Sequence, residues 1–246
     1  MSMKRFLPLL FCSLFLFGCE ATSQILDGMD DVVGGINGDA APTNSEIASG
    51  LKGALEQGIG KGADALAVTD GYFGNELLKI LWPPEAVKVE KTLRDVGMGS
   101  VCDDVILSFN RAAEAAAKEA KPIFVNAIKE MTFQDAMGIL TGGDNAATEY
   151  LKGKTYDQIE TAFMPVIDGK LDEVGATKYW ESAATAYNNI PFTKKVETDI
   201  TKYVTDMAMD GLFKVVADEE AKIREDPINR TTDIMKKVFG FADDQK

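Results

Sequence analysis

The stretch that decides the fold is residues 101–121, VCDDVILSFNRAAEAAAKEAK. Its apolar and small residues recur every three or four positions, which is the period of an α-helix with one buried face. Glu114 and Lys118 have the spacing of a favourable ion pair along such a helix. Pro122 is predicted to break or kink the helix. The predicted buried face consists of Val101, Val105, Phe109, Ala112, Ala116 and Ala120.

Helical patterns of this kind continue on both sides of that stretch, and no alternating strand pattern or family repeat interrupts them. Asp226-Pro227 is predicted to end a long amphipathic helix that starts near Thr198. The sequence therefore predicts an all-α fold, a compact array of about eight or nine helices in one domain over residues 43–240, with a frayed tail at 241–246. Capping boxes are predicted at Thr43 with Glu46, Ser100 with Asp103, Thr132 with Asp135 and Thr155 with Gln158.

The first residues have the composition of a secretory signal peptide. Lys4 and Arg5 precede a short apolar run, 6–17, which falls below the ~20 residues that span a bilayer. Leu16-Phe17-Gly18-Cys19 resembles the lipobox of bacterial lipoproteins, in which the cysteine thiol is acylated and cleavage before the cysteine leaves it as the first residue. Residues 1–18 are thus predicted to be a lipoprotein signal peptide and Cys19 the lipidation site. The alternatives are a plain signal with an incidental cysteine, or a membrane anchor that stays attached.

This resemblance implies a place in the bacterial cell envelope. Acyl chains on Cys19 would attach the protein to a membrane, and Glu20 after the cysteine favours the outer membrane, facing the periplasm. Residues 19–42 are rich in Gly, Asp, Asn and Ala, which is typical of a flexible tether. An ordered first strand is the alternative for this segment.

The composition excludes several classes of function. The formal net charge is −13, so nucleic acid is not expected as a partner. Histidine is absent, which excludes imidazole-based catalytic triads and zinc sites with imidazole ligands. Cys12 leaves with the signal peptide and Cys19 is the predicted lipidation site, so Cys102 has no cysteine partner and is predicted to be a buried apolar residue. No cofactor or metal site is predicted.

Several runs of the chain, from about Glu46 to Gly240, resemble a bacterial family known as domain of unknown function 4197. The resemblance implies a secreted or lipidated helical domain of the envelope. It implies no activity and no catalytic residue. The runs are EQGIGKGADALAVTDGYFGN, RAAEAAAKEAKPIF, DAMGILTGGDNAATEYLK, GATKYW and RTTDIMKKVFG.

The loop Thr141-Gly142-Gly143-Asp144-Asn145 is the main candidate for a ligand site. Exposed amides at a helix start can hold an anion, whereas Asp144 favours a cation. The structural alternative is that the glycines end one helix and Asp144 caps the next.

Three other patterns are interpreted structurally. Residues 58–63, GIGKGA, run through a helical pattern, so close helix packing is favoured over a dinucleotide site. Asp206 to Gly211 begins like a calcium loop but lacks ligands at later positions and lies inside a helix. Asn110 and Arg111, like Arg94 and Asp95, are predicted to join helices through a polar network.

Aromatic residues near the third quarter of the chain are predicted to pack in the core, with a pocket as the alternative. They are Tyr179, Trp180, Tyr187 and Phe192.

Two functions from different classes follow. The first is a non-catalytic helical domain that binds an envelope protein or an apolar ligand at the periplasmic face. The alternative is a carboxylate-based envelope enzyme without histidine, with Asp144 as its candidate. A dry apolar cavity would favour the ligand, and convergent carboxylates in a deep pocket would favour the enzyme.

Overall fold

The computed structural model describes residues 41–189, 191, 195–197 and 199–244, apart from the side chains of Tyr179, 182–184 and 186–187. This part of the chain contains nine α-helices and no strand, which confirms the all-α prediction. The region from Asn44 onward forms one compact unit. The helices are α1 Asn44–Leu66, α2 Val87–Asp95, α3 Gly99–Ala117, α4 Ala120–Glu130, α5 Phe133–Leu140, α6 Ala146–Glu173, α7 Ala176–Asn188, α8 Ile200–Glu225 and α9 Asp233–Asp243.

The predicted signal peptide, Cys19 and almost all of the predicted tether lie outside the described residues. At the other end, α9 continues past Gly240 to Asp243, and Ala242 is buried. None of the described helices has both the length and the apolar character needed to cross a bilayer.

The core lies between the long helices. The helix α3 packs on α6, α6 on α8, and α8 on α1. Phe109, Phe124 and Phe163 are fully buried among them, and the rings of Phe124 and Phe213 meet edge to face at 5.8 Å between centroids. Such aromatic pairs stabilise a core beyond the area they bury.

Glycines in α1 allow other helices to approach it closely. A Cβ at Gly50 would lie 2.8 Å from Val238 Cγ2 in α9. At Gly58 and Gly62 it would lie 2.8 Å from Ile223 and Val215 in α8. The prediction that residues 58–63 serve helix packing is therefore confirmed.

Some predicted helix boundaries are confirmed. Thr132 and Asp135 form a reciprocal capping box at the start of α5. The helix α3 ends at Ala117 and α4 begins at Ala120, so the break predicted near Pro122 lies just before it. The long helix α8 ends at Glu225, where Asp226 caps the 3-10 turn Pro227–Asn229.

Two predicted capping boxes are wrong. Thr155 lies inside the 28-residue helix α6, where its hydroxyl donates to the Leu151 carbonyl. The helix α3 begins at Gly99 without a side-chain cap, and Asp103 instead forms an ion pair with Arg94. In both cases a side-chain oxygen at a capping spacing bonds another partner. The sequence pattern shows the spacing of the residues, but not which other groups compete for the same oxygen.

The ion pair predicted between Glu114 and Lys118 is also wrong. Glu114 is 4% exposed and pairs with Arg111 on the preceding turn. Val101, predicted for the buried face of α3, is 46% exposed.

Candidate functional site

A cavity of about 400 Å³ lies between α2, α3 and α7. Both tryptophans of the chain, Trp82 and Trp180, line it. The remaining lining residues that the structure describes are mostly apolar: Glu85, Ala86, Val89, Leu93, Val101, Asp104, Val105, Ser108, Phe109, Val174, Ala176 and Val196.

Trp82 reaches the cavity from an irregular segment, residues 67–86, which α3 holds in place. The buried Asn110 side chain accepts from the Ile80 N–H at 2.9 Å. Its amide nitrogen donates at 2.8 Å to the carbonyls of Ile80 and Ile106. A buried side chain thus replaces the hydrogen bonds that a helix would otherwise give this backbone.

Glu114, one turn further along α3, holds the start of the same segment. Its Oε1 accepts from the backbone N–H groups of Tyr72 at 3.2 Å and Phe73 at 3.1 Å. Its Oε2 pairs with Arg111, which also bonds Asp70. The predicted polar network around Asn110 and Arg111 is therefore confirmed, and it positions one wall of the cavity.

Tyr72 fixes this segment to α8. Its side chain is fully buried, and its hydroxyl donates to the Ala208 carbonyl at 2.7 Å. Burial and the nearby Glu114 raise the pKa of Tyr72, so the hydroxyl keeps its proton and remains a donor. Gly211 leaves room for the ring, because a Cβ there would lie 2.8 Å from Tyr72 Cε1.

The two indole rings present carbon surface to the cavity. Their centroids are 6.1 Å apart at an angle of 58°. The Trp180 N–H donates to the Glu197 carbonyl at 3.0 Å, and the Trp82 N–H to the Cys102 carbonyl at 3.5 Å. Since both N–H groups are bonded to the protein, the indole rings offer a ligand apolar surface and no free donor.

Trp180 both packs in the core and lines a pocket, the two alternatives that the sequence left open. It is 9% exposed, packs with the core cluster and lines the cavity. The side chains of Tyr179, Tyr187 and Phe192 lie outside the described part of the chain.

The short helix α2 covers the cavity from one side. Val89 and Leu93 face the cavity, yet none of the nine residues of α2 is buried. Arg94 joins α2 to α3 through an ion pair with Asp103 at 2.8 Å, and it also pairs with Glu90 of its own helix at 2.8 Å. Cys102 lies beneath this helix as a buried free thiol, as predicted, and burial raises its pKa.

Three polar side chains line the cavity within the described residues. The Ser108 hydroxyl donates to the Val105 carbonyl at 2.7 Å and is thus engaged by its own helix. The other two, Glu85 and Asp104, are carboxylates on the 3-10 turn Pro84–Ala86 and on α3.

A family model described as "Protein of unknown function (DUF4197)" matches residues 41–240. The chain belongs to this family. No curated protein and no solved structure matches it significantly. The expected family membership is confirmed, and an activity for this DUF4197 protein has to be inferred from its own geometry.

The DUF4197 domain has a second cavity, about 450 Å³ in volume, with a polar lining. It includes Asp135, Tyr150 and Lys154. Hydrogen bonds from the backbone and hydroxyl of Thr132 lower the pKa of Asp135. That carboxylate is therefore engaged in the capping box of α5, and the first cavity is the better ligand site because apolar linings are typical of such sites.

The predicted loop, 141–145, joins α5 to α6, and its residues Thr141, Gly143, Asp144 and Asn145 are exposed. Asn145 occupies the N-cap position of α6 without a side-chain cap, so the cap predicted for Asp144 is wrong. Gly142 is required by close packing, since a Cβ there would lie 2.6 Å from the Gly138 carbonyl oxygen. Ligand binding by this loop stays a prediction.

The first amides of α6 are bonded from within the protein. Glu220 of α8 accepts from the N–H groups of Ala147 at 3.0 Å and Thr148 at 2.8 Å. Arg224 binds the same carboxylate and also donates to the Ile139 carbonyl at the end of α5. An external anion would have to displace this buried pair. The sequence did not reveal Glu220, because its partners lie on other helices.

The described residues of the DUF4197 chain contain no group of three or more Cys, Asp or Glu placed to hold a metal ion. The calcium-like pattern at 206–211 lies inside α8, as expected.

Proposed function

We propose that this DUF4197 protein binds an apolar small molecule in the cavity that Trp82 and Trp180 line, and that acyl chains on Cys19 hold it at an envelope membrane, facing the periplasm. The observation that carries the ligand-binding role is the cavity of about 400 Å³ lined by both tryptophans. Its volume lies within the range of roughly 300–1,000 Å³ typical of small-molecule sites.

The surroundings of the cavity support a binding role over catalysis. Asp144, the candidate of the enzyme hypothesis, lies outside the lining of both larger cavities. Val101 and Val174, which line the first cavity, are 46% and 59% exposed. Apolar side chains exposed at an opening favour the entry of an apolar molecule.

Titration with N-phenyl-1-naphthylamine, an uncharged apolar fluorophore, tests this function. The Cys19→Ala protein is used for the titration, because it has no thiol at that position to acylate. Both tryptophans line the cavity, so binding should quench their emission by energy transfer and brighten the probe. Saturation at one probe per chain is the expected result.

A matched pair of variants locates the probe. Val89→Phe adds bulk at a residue that faces the cavity and should weaken binding at least tenfold, whereas Val68→Phe adds the same bulk at an exposed position outside the lining. Equal affinity of the two variants, or no saturable binding by the parent protein, would rule out the cavity as the binding site.

The proposed localisation is tested separately by comparing the wild-type and Cys19→Ala proteins in their native host. The wild type should fractionate with membranes, and its intact mass should correspond to a chain beginning at an acylated Cys19. Cys19→Ala should be released into the periplasm or retain its leader. Identical fractionation and electrophoretic mobility of the two proteins would refute the lipoprotein hypothesis.

A further inference from the structure

The helix α2 is a lightly packed wall of the cavity. None of its nine residues is buried, and it packs mainly on α3 and on the 3-10 turn before it. Val89 and Leu93 nevertheless line the cavity from this helix. Since few apolar contacts hold α2, moving it costs less free energy than moving a helix of the core.

Both ends of α2 are suited to movement of the helix as a unit. The 3-10 turn Pro84–Ala86 precedes it, and Gly97 follows it with a φ of +89°. Nothing lies within 4 Å of a Cβ built at Gly97, so this glycine is free to change its backbone angles. Hinges are formed by a few such residues between helices.

An ion pair between exposed side chains joins α2 to α3. Arg94 lies 2.8 Å from Asp103 of α3, and its Nη1 donates to the Gly99 carbonyl at 3.4 Å. Both charged side chains are exposed to solvent. An exposed ion pair contributes little free energy, so this bond can break and form again without disturbing the core.

We infer that α2 is a lid over the cavity, which rotates about Gly97 and is held closed by the Arg94–Asp103 ion pair. This inference rests on the proposed function and adds the way in which the ligand enters. In the closed state Val89 and Leu93 would contact a bound molecule. Ligand binding therefore favours the closed state.

The thiol of Cys102 provides a measure of lid opening. It is fully buried and lies 3.8 Å from the Glu90 carbonyl oxygen of α2, but it does not line the cavity. N-ethylmaleimide, an uncharged thiol reagent, should therefore react with Cys102 when α2 moves away. Peptide mass spectrometry follows the reaction at this residue, and its rate is proportional to the open population when closing is fast.

Two variants in the Cys19→Ala protein test the ion pair. Arg94→Gln removes the bond to α3 and should speed the labelling of Cys102 about fivefold. Lys91→Gln is the matched control and should leave the rate unchanged, because it removes the same charge from α2 but a bond only to Asp95 of the same helix.

The reactivity of the thiol itself works against the expected result. Burial raises the pKa of Cys102, and the charge of Arg94 partly offsets this rise. Loss of Arg94 would therefore make the reactive thiolate rarer. Faster labelling of Arg94→Gln consequently indicates a more open lid.

The ligand and urea provide the other two measurements. N-phenyl-1-naphthylamine at ten times its Kd should slow the labelling of the parent protein about tenfold, because it binds the closed state. Labelling should rise only weakly with urea, since opening α2 exposes little surface. Global unfolding, followed by circular dichroism, depends on urea much more steeply.

The outcomes separate the lid from the proposed function. Equal labelling rates of Arg94→Gln and Lys91→Gln, or a rate that rises with urea as steeply as global unfolding, overturn the lid and leave the apolar cavity standing. Saturable binding of the probe without slower labelling also overturns the lid. Absence of probe binding overturns the proposed function itself, whether or not the two variants differ.

Discussion

Asn110 is the residue on which the geometry of the cavity most depends. It is fully buried and bonds both the N–H and the carbonyl of Ile80, two residues before Trp82. The segment that carries Trp82 contains no α-helix. These side-chain bonds therefore replace the backbone hydrogen bonds that an α-helix would supply.

Asn110→Ala should lower the free energy of unfolding by about 3 kcal/mol, since it leaves two buried backbone groups without partners. Urea denaturation followed by circular dichroism measures the change. Asn145→Ala serves as the control, because Asn145 is exposed and makes no capping bond; it should change stability by less than about 0.5 kcal/mol. If Asn110→Ala unfolds at the same urea concentration as the wild type, another contact holds the segment.

Asp135 should make stability depend on pH in the acidic range. Hydrogen bonds from Thr132 lower its pKa in the folded state below the ordinary value of about 3.9. A carboxylate with a lowered pKa stabilises the fold fully above its unfolded pKa, and this contribution disappears as the pH falls through the folded pKa.

The stability difference between wild type and Asp135→Asn should therefore be constant above about pH 5 and shrink below about pH 4. Urea denaturation at a series of pH values measures it. Asp157→Asn, an exposed position on α6, controls for the loss of one negative charge. A difference that persists unchanged into the acidic range would show that the capping box does not depend on the ionised carboxylate.

At the scale of helices, α1 shows how glycine serves packing. At Gly50 a Cβ would meet Val238 Cγ2 at 2.8 Å, and both Val238 Cβ and the Ile234 carbonyl oxygen at 3.2 Å. The β-branched valine cannot turn away easily, so the helices must separate. At Gly153 in α6, nothing lies within 4 Å of a Cβ.

The same substitution should consequently have opposite effects at the two positions. Gly50→Ala should destabilise the protein by about 1–2 kcal/mol, because overpacking outweighs the gain in helix propensity. Gly153→Ala should stabilise it by about 0.5–1 kcal/mol. Thermal or urea unfolding of both variants tests this, and a loss of stability in both would mean that the close approach of α1 and α9 is not the cause.

The helices themselves were predictable from sequence, and their ends less so. The period of apolar residues revealed the packed face of α3 from Phe109 to Ala116, which is buried, as is Ala120 at the start of α4. The capping box at Thr132 was found, whereas the one at Thr155 was wrong, because a threonine hydroxyl can also bond a carbonyl of its own helix. Local spacing alone does not distinguish the two uses.

At the scale of the whole molecule, the cavity could not be predicted. Trp82 and Trp180 lie far apart in the chain, and the bonds that place them come from Asn110 and from the backbone of Glu197. No local pattern predicts that the two tryptophans meet, because their meeting depends on how α3 holds an irregular segment.

The region around the cavity differs from the rest of the domain in how deeply it is buried. The helix α2 has no buried residue, while α6 and α8 each bury many. Local unfolding starts where few apolar contacts hold an element. Both tryptophans line the cavity beside α2, so their fluorescence reports on the unfolding of this region. Far-ultraviolet circular dichroism reports on all helices.

Urea unfolding should therefore show two transitions that do not coincide. Tryptophan fluorescence should change at a lower urea concentration than circular dichroism, because α2 and the segment carrying Trp82 detach before the long helices unfold. Hydrogen exchange measured by mass spectrometry provides the independent check: the amides of α2 should exchange faster than those of α8. Superimposable transitions, together with equal protection of α2 and α8, would show that the domain unfolds as one cooperative unit and that the cavity wall is as firmly held as the core.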